Sequence, residues 1–326
     1  MVGNEASAPK EMRTAFGDTL VALGQRFENL IVLDADLNTS SKTTIFKKVF
    51  PDRFFQVGIA EQNLFGIAAG LALTGFIPFP STFAAFATRR ALDQIAISIC
   101  YPRLNVKIPG SYAGLPTSRA GASHIAIEDL AIMRALPNMR VADPGDNADL
   151  QAIMQTAVDT EGPVYFRVTR LTLPSLFGPG HVFEWGKGKL IRQGSDVSLF
   201  GTGMMTSLCL QAAKQLEADS IQCEVIHLAS VKPIDTDLIL QSVAKTGCAV
   251  TAENATILGG LGSAVTEILA QGFPAPLRRI GVADSWVSSG GIDELFSFHH
   301  MQPEDIAAAA RDAIASKHAR QAKPHR

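Results

Sequence analysis

The chain has 326 residues, with 29 Lys plus Arg against 31 Asp plus Glu for a formal net charge of −2, and 47% hydrophobic residues against 18% charged. So even a balance argues against nucleic acid or an anionic membrane surface as partner, and no run is apolar enough to span a bilayer. Cys100, Cys209, Cys223 and Cys248 are scattered without Cys-x-x-Cys spacing, which argues against a zinc site or a disulfide framework.

The length suits two domains, each able to bury its own core, and the 27 glycines with an apolar composition point to close packing and a large subunit interface. The opening Met1 to Lys10 has no basic segment followed by an apolar core, so a cytoplasmic protein is expected. Met12, Phe16, Leu20, Leu23 and Phe27 recur at helical spacing, and Leu30 to Asp34 reads as the buried strand that follows. The polar turn after it carries Asn38, Thr39 and Ser40, residues that cap helices and that could also meet a ligand at the sheet edge.

From Phe54 a strand-like end runs into a helix rich in Gly66, Ala68, Ala69, Gly70 and Ala72, with Glu61 at the junction. A carboxylate there lies near the carboxyl edge of an α/β sheet, where ligands bind, and it also suits a helix N-terminus without any further role. The helix behind it has little polar surface and must be buried, within a domain or between subunits. Phe76 to Pro80 reads as a short strand ended by proline, and a helix after it would place Phe83 and Phe86 on one face. Such a pair belongs to a core or walls a flat heterocycle.

Leu104 to Ile108 is expected as a strand, Pro109 to Ala122 as a Gly/Ser/Pro loop and Ala126 to Ala135 as a helix, with His124 between. Met139 to Asp143 reads as a strand, Pro144 to Asn147 as a cap for a helix at Ala148 to Val158, and Pro163 to Arg170 as a strand ending in a cation. This alternation predicts a parallel sheet with helices on both faces. A Gly/Pro-rich linker follows, and strands at Val197–Phe200, Cys223–His227 and Cys248–Glu253, alternating with helices, repeat the style. The fold class is therefore α/β, with two doubly wound, mostly parallel-sheet domains at 8–175 and 190–320 around a linker at 176–189. The turn Gly259 to Ser263 lacks the full dinucleotide fingerprint and is taken as structural.

Taken together, Gly58 to Asn63, Ser81 to Phe83 with Phe86, Gly121 to His124 with Ile127 to Asp129, Pro163 to Arg170 and Ala252 to Ala264 resemble the C-terminal half of transketolase. They are also similar to the matching parts of deoxyxylulose-phosphate synthase and of the β subunits of 2-oxoacid dehydrogenases. The resemblance covers nearly the whole chain, as a pyrimidine-binding domain followed by the transketolase C-terminal domain. It implies thiamine diphosphate as cofactor, with Glu61 exchanging a proton with N1′ of the aminopyrimidine and so promoting loss of the thiazolium C2 proton. That chemistry needs a carboxyl held in a dry cleft beside a weakly basic ring nitrogen. The same resemblance puts Phe86 against the pyrimidine with Phe83 beside it.

The Gly-Asp-Gly and Asn that hold Mg2+ and the diphosphate in the other half of such enzymes are absent from this chain, so no metal ligands are assigned to it. The implied enzyme is split: a separate N-terminal subunit carries the diphosphate site, and the two assemble as a heterotetramer through the pyrimidine-type domain. Ser40 and Arg170 match contacts to the phosphate of sugar substrates, and His124 matches a contact to substrate hydroxyls. Tyr112 stands where a His is usual and Ala120 where an Asp is usual, with Arg119 beside it. The altered loop implies a changed donor or acceptor, admitting an ordinary, branched or sulfonated sugar. The expected activity is transfer of a two-carbon ketol unit between a ketose and an aldose. The alternatives are a 2-oxoacid dehydrogenase β subunit and a non-catalytic scaffolding partner.

Overall fold

Strand and helix alternate along the chain as the apolar spacing demands. The computed structural model describes residues 10–321. The first nine residues, which include the start of the expected first domain and most of the Met1 to Lys10 opening, lie outside the described residues. The first half runs α1 (Met12–Arg26), β1 (Leu30–Asp34), α2 (Asn38–Ser41), α3 (Thr44–Val49), β2 (Phe54–Gln56), α4 (Glu61–Leu73), β3 (Ile77–Phe83), α5 (Ala84–Asp93), β4 (Lys107–Ser111), α6 (Asp129–Ala135), β5 (Arg140–Ala142), α7 (Asn147–Asp159) and β6 (Val164–Val168). A π-helical stretch, Gln94–Cys100, extends α5, and a 3-10 turn, Leu115–Ala120, follows β4. The second half runs β7 (Lys189–Arg192), β8 (Val197–Gly201), α8 (Met205–Leu216), β9 (Cys223–His227), β10 (Ser230–Lys232), α9 (Thr236–Thr246), β11 (Ala249–Thr256), α10 (Leu261–Gly272), β12 (Leu277–Val282), α11 (Ile292–Phe298) and α12 (Pro303–Gln321). No helix among the described residues is long and apolar enough to cross a membrane.

The strands form a seven-stranded sheet in the order β10-β5-β6-β4-β3-β1-β2 and a five-stranded sheet in the order β12-β11-β8-β9-β7. Among the described residues, only β10 with β5 and β7 with β9 pair antiparallel. Alternation along a strand sends successive side chains to opposite faces. On the first sheet, Leu30 and Val32 join Phe16, Leu20 and Met154 of α1 and α7, whereas Ile31 and Leu33 join Leu64, Phe65 and Ala68 of α4. On the second, Val197 and Leu199 face α8 and α12, and Phe200 faces α9 and α10. This is the two-sided α/β class expected from the sequence.

Several local expectations are corrected. Proline does not end the strand after Phe76; β3 continues through Pro78 and Pro80 to Phe83 in the interior of the sheet. The amide of Ile77 bonds Asn29 on the β1 side, so alternation turns Pro78 and Pro80 toward β4, whose pairing begins only at Thr82. The strand expected at Leu104–Ile108 lies at Lys107–Ser111, and Phe83 closes β3 instead of sitting on a helix. α6 begins three residues late because Ala126 bridges Ala113 and the carbonyl of Ile127 accepts from Thr256. Asn38, Thr39 and Ser40 make no side-chain cap; Asp34 fills that role, accepting from the amide of Leu37 and the hydroxyls of Ser41 and Thr43. The cap expected before α7 is present as Asp146, which accepts from the amide of Asp149 at 2.9 Å.

Candidate active site

β1 to β4 deliver their carboxyl ends to one edge of the first sheet, and the candidate residues gather there. Glu61 is the first residue of α4 and is 5% exposed. Its Oε1 accepts from Arg90 Nη1 at 2.9 Å, and the Arg90 guanidinium lies 4.0 Å over the ring of Phe86. Arg90 follows Phe86 by four residues on α5, so the two share a face. Glu61 and Arg90 line an open hollow of about 590 Å³ with Ile59, Ala60, Gln62, Asn63 and Arg89.

An aromatic wall continues from there. Phe83 stacks beside Phe86 at 5.6 Å and on Tyr112 at 4.3 Å, while His124 meets Phe86 edge-on at 5.1 Å. Tyr112 is turned onto Phe83 by a left-handed backbone, φ 59°, a conformation that costs a non-glycine residue about 1–3 kcal/mol, and its amide bonds the carbonyl of Val168. The Tyr112 hydroxyl accepts from Arg13 Nη1 at 2.6 Å, and the Arg170 guanidinium lies 5.6 Å from the same ring. Arg13 also donates to the carbonyl of Ser40 at 3.3 Å and, through Nε and Nη2, to the carboxylate of Glu11 at 2.8 and 3.0 Å. Hydrogen bonding from Arg13 holds the Glu11 carboxyl below its ordinary range.

Glu61, Phe86, Phe83, Tyr112, His124 and Arg170 are thus linked by successive contacts, and Ser40 joins them through its backbone carbonyl on Arg13. Arg119 does not join them; it is exposed on the 3-10 turn. Two residues at the site went unnoticed in the sequence. Arg90 had a visible signal, its four-residue spacing from Phe86. Arg13 had none, since only the fold brings α1 to the 38–41 turn and to Tyr112.

A buried polar layer underpins this surface. Arg167 on β6 donates to both carboxylate oxygens of Asp129, to Asp143 at 3.4 Å and to the carbonyl of Asn254 at 3.0 Å. Burial pushes the Asp143 carboxyl up to about 6, with Arg167 acting against it. Glu253 accepts from the amides of Leu261 and Gly262, so the glycine-rich turn presents its helix N-terminus to a carboxylate of its own chain; burial pushes that carboxyl up to about 7. Asp149 is bound by His227 at 2.9 Å, by His181 at 3.0 Å and by the amide of Gly145. Burial would raise its carboxyl, but the two histidines more than reverse this and leave it below the ordinary range. A carboxyl held low contributes stability that is present above its unfolded value and lost as pH falls. Asp149→Asn is therefore expected to cost ~2 kcal/mol at neutral pH and to flatten the loss of stability on acidification. Urea midpoints taken from neutral pH down into the acid range check this; an unchanged acid limb would refute it.

The pyrimidine-binding domain of transketolase matches residues 8–175 and the transketolase C-terminal domain matches residues 186–306. The chain belongs to the transketolase family. Within that family it matches nearly the full length of relatives named as single sections or subunits. A 6-deoxy-6-sulfo-D-fructose transketolase subunit from Clostridium sp. (strain MSTE9) is 40% identical over 95% of this chain and 96% of its own length. One of the subunits of an apulose-4-phosphate transketolase from Phocaeicola vulgatus is 32% identical over 93% and 97%. A solved split-gene transketolase, described as an inactive β4 tetramer, is 48% identical with a TM-score of 0.89 over 94% of this chain and 99% of that one. The transketolase family depends on thiamine diphosphate.

Proposed function

We propose that this transketolase-family subunit is the catalytic C-terminal half of a split, thiamine diphosphate-dependent transketolase that moves a two-carbon ketol unit from a ketose to an aldose. The observation that carries the reading is the continuous surface from a buried carboxylate, Glu61, along the Phe86, Phe83 and Tyr112 rings to the guanidinium groups of Arg13 and Arg170.

The residues present fit the pyrimidine end of the cofactor. Glu61 is buried at the rim of the hollow and, among the described residues, makes its only side-chain hydrogen bond to Arg90. Phe86 offers a flat apolar face beside it. When bound, thiamine diphosphate supplies the nucleophilic carbon that carries the ketol unit. Glu61 holds and exchanges a proton at the ring nitrogen of the aminopyrimidine, and Phe83 and Phe86 exclude water from it. Arg90 covers Phe86 and pairs with Glu61, so a pyrimidine stacked on Phe86 would have to displace it from this position. The diphosphate and Mg2+ fall to a separately encoded N-terminal subunit, with self-association through the pyrimidine-type half. The face of α4 carrying Gly66 and Gly70 is exposed in the single chain, next to exposed Leu73, Ile97 and Tyr101, and supports that assembly.

Ser40, Arg13 and Arg170 take the anionic end of the sugar, with Tyr112 and His124 along its length. The two relatives named for a sulfonated and a phosphorylated sugar support a terminal oxyanion of either kind. Arg170→Ala is expected to raise KM for a phosphorylated acceptor about 10- to 100-fold, the loss of a charge-assisted contact, with little effect on an unphosphorylated one. Steady-state kinetics on the reconstituted enzyme checks this, and equal effects on both acceptors would remove the anion site. Decarboxylation of a 2-oxoacid without ketol transfer would instead place the subunit among 2-oxoacid dehydrogenases.

A further inference from the structure

The segment from Tyr112 to His124 has both ends on the aromatic wall and its middle under the second half of the chain. The amide of Leu115 donates to Asn254 Oδ1 at 3.0 Å in a fully buried bond. Gly114 lies in the left-handed region, φ 73°, and a Cβ there would stand 2.2 Å from Asn254 Nδ2, so only glycine permits this approach. Asn254 sits on β11, is 4% exposed, and is itself fixed: its carbonyl accepts from Arg167 and its side-chain amide meets Met204 Sδ at 3.6 Å. Closer to His124, Gly121 is also left-handed and would carry a Cβ 2.6 Å from Ser289 Oγ, again from the second half. Inside the segment the Thr117 hydroxyl donates to the carbonyl of Tyr112, which ties the 3-10 turn to the aromatic residue.

We infer that the second half of the chain works as a latch on the substrate loop, with Asn254 as the positioning residue that holds Leu115 and, through it, sets Tyr112 and His124. The inference rests on the reading of Tyr112 and His124 as substrate contacts. A buried amide merely being satisfied would give the same bond, but would not couple it to substrate affinity or to the exposure of one particular peptide bond. Arg119 supplies that bond: it is exposed on the turn between the two anchored glycines and is a trypsin site.

The test is limited trypsin digestion of the full chain, with kinetics on the enzyme assembled with its partner subunit. Asn254→Ala is expected to speed cleavage after Arg119 at least tenfold without changing other sites. It is also expected to raise KM for the sugar about tenfold while kcat changes less than threefold. Gly114→Ala breaks the same latch from the loop side and carries the test if the first variant does not fold; it should raise KM in the wild-type chain but add little on top of Asn254→Ala. Unchanged cleavage after Arg119, acceleration spread over all sites, or additive effects of the two substitutions would overturn the latch. Selective release at Arg119 in an assembly that transfers no ketol unit would support the latch while removing the functional reading.

Discussion

Glu61→Ala is expected to reduce ketol transfer about 10²- to 10⁴-fold, the range associated with loss of a positioned acid–base group, while assembly with the partner subunit is unaffected. The carboxyl begins α4, but the N-cap is Ala60 and the Glu61 side chain accepts from Arg90 and from no backbone amide among the described residues, so no cap depends on it. Its burial would be costly unless the group were used or paired, and its ionic partner among the described residues, Arg90, is half exposed. Glu61→Gln keeps the shape and the bond to Arg90 but cannot exchange the proton, so it should be nearly as slow as the alanine variant. Turnover by the reconstituted enzyme, with light scattering for assembly, decides the matter; near wild-type turnover in either variant would end the proposed role.

Arg167→Leu is expected to destabilise the chain by about 3–5 kcal/mol, the cost of leaving buried charge without its partner. Arg167 is 2% exposed and lies between two carboxylates, Asp129 and Asp143, one fully buried and the other nearly so. Removing it leaves both without that cation and takes one donor from the carbonyl of Asn254, so the effect reaches from the first sheet to β11. Burial already raises the Asp143 carboxyl against the pull of Arg167; without that cation it would be driven further toward the neutral form. Groups whose folded value is raised lose stability as pH rises, so the penalty should shrink on acidification toward about pH 5. Urea unfolding at neutral and mildly acidic pH measures both effects. A penalty under about 1 kcal/mol, or one that grows with acid, would contradict the account.

Periodicity in the sequence carried the architecture well. Leu30 to Asp34 and Val197 to Phe200 are short, largely apolar runs of the kind buried parallel strands use, Cys223 to His227 alternates with polar residues, and each is a strand. Local composition misled where neighbours overrode it. Pro78 and Pro80 looked like a stop, but they fall where β3 has no partner on that side. Ser230–Lys232 is too short and too mixed to announce a strand, yet it pairs with β5 across the boundary between the halves. At the site, Glu61, Phe83, Phe86 and His124 lie in a motif-rich stretch and could be picked out along the chain. Arg13 could not, because nothing within α1 distinguishes a cation aimed at Tyr112 from one facing solvent.

That pairing of β10 with β5 bears on how the polypeptide could be dissected. A fragment ending between the two halves would keep β1 to β6 but strip β5 of its outer neighbour, baring backbone groups of a strand whose Val141 and Ala142 are otherwise buried. Such an edge recruits other strands, so the isolated fragment should aggregate or swap segments between copies. Lys232 deepens the dependence, because its ammonium donates to the carbonyls of Arg134 and Leu136 at the end of α6. Recombination between family members is thus constrained to exchange residues 230–232 together with the first half, whatever is done with the rest of the second.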